Sequence, residues 1–434
     1  MQRILSFDQT PPFSVPLRFF LTAPLFSMLA AALLFWQGPE AFTSRWSPFM
    51  LALTHLMTLG FLASAMIGAL IQILPVVAGI SLPRPRLTAG VVHTFLSTGT
   101  ALLAAAFWLS RAVLFRLALV CLVLAFGWLL VAAAIGLRQA PAPGATATVA
   151  AIRLALAALL ITVLLGTTLS SAFAWPLALP LILLANLHVA WGLLGWLALL
   201  VIGGAFQVVP MFLVTPLYPR HVTRWLAALL FLLLVLWSLT EVILQGHPRW
   251  PAMMVSALIA ASLALFGATT LSLLWRRKRP KADATTLFWR TSMASLLACV
   301  VLWSVSPALV PASHSLTLGI LLIVGFGYSA INGMLYKIVP FLAWYHAQNE
   351  VAIGCRTVPS VKKILPDSVA VKQFWCHLAA LLLLVAATLW PVMLTRVAAF
   401  ALCVSSGWLA FNVIHAVRIY WRISRDAALA VVVP

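Results

Sequence analysis

Twelve stretches of this sequence are each long and apolar enough to cross a bilayer, and no other feature narrows its possible folds so sharply. They lie near 17–37, 49–79, 88–110, 112–137, 149–172 and 181–214, then near 224–245, 251–275, 286–306, 312–341, 374–394 and 397–421. A hydrocarbon core of about 30 Å takes roughly 20 residues of helix. Lipid offers the backbone no hydrogen-bond partners, so only helices or closed barrels cross it. The unbroken Leu, Ala and Val runs lack the alternation of barrel strands, which leaves an all-α membrane protein. Its partner is the lipid bilayer: with 64% hydrophobic and 8% charged residues, the chain could not clothe a water-facing surface. No segment of the 434 residues is large enough for a separate soluble domain, so 1–434 reads as one polytopic domain.

The formal charge of +20 could suggest nucleic acid. In a chain of this kind, however, basic residues set orientation from the loops between spans, and no nucleic-acid partner is expected. Placing the N-terminus inside assigns 22 of the 27 Lys and Arg residues to internal loops and tails and leaves five outside: Arg45, Arg111, Arg116, Arg249 and Arg396. Both termini are therefore expected in the cytoplasm, in the inner (plasma) membrane, with Met1 to Pro16 as a cytoplasmic tail. The basic run Arg276 to Lys281 joins spans 8 and 9 and faces anionic headgroups. The long connection 342–373 carries Glu350, Cys355, Arg356, Lys362, Lys363 and Asp367 and reads as a cytoplasmic flap.

An internal repeat is visible. Span 2 carries H-x-x-T-L-G from His55 to Gly60 and closes on Gln72 and Pro75, and span 10 carries the same string from His314 to Gly319 and closes on Lys337 and Pro340. Span 6 has a looser version with His188, Gly192, Gln207 and Pro210. The histidines are separated by 133 and 126 residues and the prolines by 135 and 130, each about four spans. The chain thus reads as three four-helix units, about 17–137, 149–275 and 286–421, each with one histidine in the outer half of the membrane. Glycines recur on the same spans. Small residues admit close helix packing, the commoner reason for them, or a groove for a flat porphyrin.

Twelve spans, internal termini, three groups of four helices and outer-half histidines on spans 2, 6 and 10 resemble subunit I of the heme-copper oxidase superfamily. Span 2, with His55, Gly60, Phe61, Gly68, Pro75 and Gly79, is also similar to the corresponding helix of NnrS-type proteins, heme- and copper-binding membrane proteins linked to nitric oxide stress. The superfamily resemblance implies a low-spin heme ligand at His55, a copper ligand at His188 and a further heme ligand at His314. Three departures limit it. His188 is followed by Val189, Ala190 and Trp191 instead of Pro-Glu-Val-Tyr; span 7 lacks the copper histidine pair; and span 10 keeps one histidine of the expected His-x-His. What the resemblance implies is one heme b held by His55 and His314, without a complete oxygen-reducing centre.

Ionisable groups inside a membrane are costly and are candidates for function. Glu241 on span 7 reads as a proton acceptor or metal ligand near His188, or as a group snorkelling to the outer interface. Lys337 reads as snorkelling to the cytoplasmic surface. His93, His377 and His415, in the inner halves of spans 3, 11 and 12, read as an inner site or as three independently bonded rings. Trp191 stands out among the tryptophans for its closeness to His188. The five scattered cysteines form no CxxC pair. Two functions stay open: a heme-binding protein in electron transfer or nitric oxide and other diatomic gas handling, served by cytochrome c or quinol and by partner subunits, or a transporter with internal repeats and no heme.

Overall fold

A computed structural model describes residues 9–244, 247–305, 313–351 and 358–432, with only the backbone of 350–351 and 427–432. Among them are twelve helices of spanning length. The first four are α1 Ser14–Phe42, α2 Pro48–Ala78, α3 Pro85–Leu109 and α4 Ala112–Gly136. Next come α5 Thr146–Ala174, α6 Leu181–Leu213, α7 Arg220–Leu244 and α8 Trp250–Trp275. The last four are α9 Ala284–Ser304, α10 His314–Asn349, α11 Asp367–Ala387 and α12 Pro391–Asp426. No strand occurs among the described residues.

Two boundaries differ from the hydropathy pattern, and both shorten the expected flap at 342–373. The helix α10 runs on to Asn349, while α11 begins at Asp367 and not near 374. A carboxylate suits a helix N-terminus, and Asp367 Oδ1 also accepts the Ala284 backbone N–H at 3.0 Å. Lys372 and Gln373, which hydropathy excludes from a span, therefore sit inside a helix. The connection keeps a single turn at Val361–Ile364; Cys355, Arg356 and the Glu350 side chain lie outside the described residues. The expected tail is shorter too. Phe13 is buried between His346 and Tyr420 and α1 starts at Ser14, while residues 1–8 lie outside the described residues.

Three helices form the centre: in α2, α6 and α10, 83, 61 and 72% of the most apolar window is buried, against 28% in α7. They share one construction. Each contains an eight-residue π-helical segment, Leu56–Ala63, Trp191–Ala198 and Leu321–Tyr328, and each continues as α-helix through a proline. Leu56 to Pro75, Trp191 to Pro210 and Leu321 to Pro340 are all 19 residues. In that register Gly60, Gly195 and Gly325 are equivalent, as are Gly68, Gly203 and Gly333. A Cβ on the first three would come within 2.5 Å of Phe26, 2.8 Å of Ala158 and 2.6 Å of Ser295, on α1, α5 and α9. The second three meet Phe19, Ala151 and Phe288 on the same helices, at 2.9, 2.7 and 2.7 Å. Close packing of backbone on a neighbouring helix accounts for all six glycines.

The three π segments also meet one another. Leu62, Leu197 and Gly327 each stand seventh in their segment, and a Cβ on Gly327 would lie 3.0 Å from Leu197 and 3.3 Å from Leu62. The missing side chain at Gly327 lets the three helices close on a common centre. A π turn carries an extra residue and weakens the backbone ladder. In α2 and α10 a hydroxyl compensates: Ser64 Oγ donates to Leu59 O and Ser329 Oγ to Val324 O, both at 3.3 Å.

This register moves the histidines out of line. The positions equivalent to His55 are Ala190 and Ile320, so His188 stands two residues early and His314 six residues early. Six residues of helix are about 9 Å of rise, enough to carry His314 away from the depth of the other two.

By sequence, 22 of the 27 Lys and Arg residues fall at the helix ends that include the 276–281 run. The Lys278 backbone N–H donates to Val214 O just past α6, joining the 276–281 run to the ends of α6 and α8. We refer to this end as the basic face. There Lys337, partly exposed, pairs with Asp283 at 2.8 Å. Asp283 caps α9 through the Thr286 N–H, and Arg277 approaches both Asp283 and Thr286.

Candidate functional site

A cavity of about 580 Å³ opens between α2, α3, α5, α6 and α10 at the end away from the basic face. Its wall is almost wholly apolar, with Leu62, Met66, Phe107, Phe173 and Trp196 among the lining residues. The polar exceptions include His55, His188, Arg45, Thr54, Thr58 and Ser315. The sequence positions these groups by local means. Ser47 Oγ accepts the Met50 N–H and Pro48 occupies the first turn, so α2 starts seven residues before His55. His55 lies just ahead of the π segment of α2, and its Nδ1 is 2.7 Å from Leu51 O one turn earlier.

His188 reaches across to α5, where its Nδ1 is 3.0 Å from Thr162 O. Gly166, one turn further along α5, makes room: a Cβ there would lie 2.9 Å from His188 Cε1. With each Nδ1–H donated to a carbonyl, Nε2 of both rings is left with its lone pair and no hydrogen bond among the described residues. The ring centres of His55 and His188 are 6.3 Å apart with planes inclined at 24°. Phe107 stacks on His55 at 5.5 Å.

His314 does not join them. Its Nε2 is 3.1 Å from Leu302 O on α9, and it is absent from the cavity wall, to which α10 contributes Ser315, Gly319 and Ile323 instead. Gly319 has open space where a Cβ would be, so the bare backbone of α10 borders the cavity. The structure thus brings His55 together with His188 and turns His314 to α9. Glu241 lies in the last turn of α7 and does not line the cavity, so the expected pairing of His188 with Glu241 is not assembled there. Among the described residues no three His, Cys, Asp or Glu side chains converge where they could hold a metal ion.

Arg45, the sole charged side chain among the lining residues, sits in the α1–α2 loop at the mouth. It donates to Asn186 Oδ1 on α6 at 3.1 Å and lies 4.2 Å over the Trp46 ring. Burial pushes its pKa down, but a guanidinium stays protonated. The mouth thus favours an anion and the interior an apolar body.

Trp191 is turned elsewhere, donating to Ser238 Oγ on α7 at 2.9 Å. The three inner histidines meet separate partners: His93 bonds Thr22 on α1, His377 bonds Ser329 on α10, and His415 stacks on Phe411 of its own helix. Reading the sequence missed Thr162, Gly166, Asn186 and Arg45. Only Gly166 left a trace there, a small residue in a Leu-rich span. No protein family and no curated protein matches this chain.

Proposed function

We propose that this chain is a heme-binding membrane protein that passes electrons, with His55 and His188 as the residues that would hold the group. The observation that carries the reading is the histidine pair. Metal–imidazole bonds of about 2.0–2.1 Å, plus the depth of each ring, put two imidazoles that share one metal about 6 Å apart, centre to centre. The 6.3 Å spacing fits that distance. Ligating histidines commonly give their other ring N–H to a carbonyl, as both do here. Two histidines suffice for a heme because the porphyrin supplies the other four nitrogens, so the lack of a three-residue ligand cluster is no obstacle.

The cavity suits a porphyrin in size, at about 580 Å³ against about 300–1,000 Å³ for cofactor sites generally. Arg45 at its mouth is placed to pair with a carboxylate of the group. When bound, heme supplies one-electron chemistry. The protein's part is to fix the Nδ1–H tautomer and the orientation of both imidazoles through Leu51 O and Thr162 O, to exclude water with an apolar wall, and to orient the group through Arg45. Held by two histidines, the group would be suited to electron transfer rather than to gas binding. The likeness to heme-copper oxidase subunit I and to NnrS-type proteins, the three-unit construction and a cytoplasmic basic face are parts of this proposal. A cytochrome c or quinol is the donor class it implies.

The protein purified from heme-replete cells in detergent is expected to show a Soret band and a b-type pyridine hemochrome. The permease reading draws on one observation, the π segments and prolines that interrupt α2, α6 and α10, since broken helices serve alternating access. A colourless protein would favour it.

A further inference from the structure

Away from the cavity, the contact region of α10, α11 and α12 buries polar groups that the fold leaves without partners. Asn332 is fully buried, and neither its Oδ1 nor its Nδ2 has a hydrogen bond. Gln373 and His377, one turn apart on α11, are also fully buried, with Gln373 Oε1 and His377 Nδ1 unpartnered. Burying a polar group unsatisfied costs free energy. Orphaned buried polar groups in native proteins are usually bonded to internal water, each water needing two to four such partners. The four orphan atoms lie on α10 and α11, which the Ser329–His377 hydrogen bond joins.

The groups around them form a column. On α10, Asn332 stands one turn from Tyr328 and one turn from Tyr336. Tyr328 Oη is 3.0 Å from Ser406 Oγ, and Asn412 Nδ2 donates to Tyr336 Oη at 2.9 Å. Gln373 Nε2 donates to Ser405 Oγ and Ser405 O, each at 3.1 Å. His377 Nε2 is 2.7 Å from Ser329 Oγ, and its ring lies between Tyr328 at 5.2 Å and Phe288 at 5.3 Å.

The column has two ends. Val324 and Leu402 line the cavity, and each is one turn from a member of the column, Tyr328 and Ser406. At the other end Tyr336 adjoins Lys337, whose ion pair with Asp283 keeps 24% and 14% of the two side chains exposed at the basic face. Gln373 is six residues into α11, about 9 Å.

We infer that α10, α11 and α12 enclose a file of water, held by Asn332, Gln373 and His377, that carries protons between the basic face and the floor of the cavity. Histidine suits such a relay because each ring nitrogen either gives or accepts a proton. A proton accepted from water at His377 Nδ1 leaves from Nε2 to Ser329 Oγ, whose own hydroxyl proton leaves Val324 O for the next water of the file, and the ring ends as its other tautomer. The inference does not depend on heme.

Hydroxyl radicals made by X-ray radiolysis of bound water label neighbouring side chains even when these are buried. Purified full-length protein is mixed rapidly with ¹⁸O water, irradiated and mapped by mass spectrometry. Tyr328 and His377 are expected to label several-fold faster than Phe266, equally buried, and to carry ¹⁸O after the shortest mixing time. In Asn332→Leu and His377→Phe the labelling of Tyr328 should fall. Labelling of Tyr328 at the Phe266 level in the wild type, or ¹⁶O alone after long mixing, overturns the inference whether or not the variants fold. Infrared difference spectra in D₂O, wild type minus His377→Phe, supply the proton arm. His377 bands that shift on mixing support the relay, and bands unshifted after hours overturn it.

Discussion

The imidazoles of His55 and His188 lie 6.3 Å apart, centre to centre, although 133 residues separate them in the chain. Each reaches this position by a different route, His55 through a bond to its own helix and His188 through a bond to α5. Two neutral rings with free Nε2 atoms in an apolar cavity are the basis of the heme proposal.

In that proposal His55→Ala and His188→Ala each remove an axial ligand, and the b-type hemochrome of the purified protein should fall to background or become five-coordinate. His314→Ala should keep a wild-type spectrum, because His314 turns to Leu302 O. A spectrum lost in His314→Ala and kept in His188→Ala would restore the pair that the sequence suggested.

The glycine register makes a second prediction. Gly60→Ala and Gly325→Ala place a Cβ 2.5 and 2.6 Å from Phe26 and Ser295, an overpacking that typically costs about 1–3 kcal/mol. Gly127→Ala meets nothing within 4 Å and should change stability by less than about 0.5 kcal/mol. Thermal unfolding in detergent would check this; equal midpoints for all three variants would refute the packing.

Asp283 gives a pH dependence at the basic face. Burial alone would raise its pKa, but the hydrogen bond and charge of Lys337, with the Thr286 contacts, hold it below the usual carboxylate range. A depressed carboxylate stabilises the fold above its unfolded pKa and loses that contribution as pH falls through the folded value. This stability should therefore be intact above about pH 4 and fade below it. Asp283→Asn can still cap α9 but leaves Lys337 unpaired, at a cost of about 1–3 kcal/mol for a partly buried pair. Adding Lys337→Met should recover part of that loss. An unchanged acid midpoint in Asp283→Asn would show the pair to be inert.

Topology is the fourth prediction. A cysteine replacing Arg45 should react with an impermeant maleimide from outside intact cells, and one replacing Lys278 only after lysis, as 22 basic residues against five require. The reverse pattern would invert the protein and put the histidine pair on the cytoplasmic side.

Hydropathy alone located the spans, because the requirement for about 20 apolar residues is local and repeats twelve times. It failed at α11, where the helix admits Asp367, Lys372 and Gln373 because their partners come from other helices. The glycine spacing is in the sequence, and Gly60, Gly68, Gly195, Gly203, Gly325 and Gly333 pack on neighbouring helices while Gly319 borders the cavity; the shared H-x-x-T-L-G does not mark the register of α2 and α10. The π segments and prolines set the true one, and a π turn leaves no signature in composition.

The sequence by itself determined a twelve-helix membrane protein, its basic face and the three helices that matter, since all follow from transfer of residues between water and lipid. Only the tertiary structure decided which histidines meet. Side-chain proximity across helices depends on rotation and depth to within a fraction of a turn: the six residues by which His314 is out of step move it about 9 Å along its helix, while Gly166 opens the gap that His188 fills.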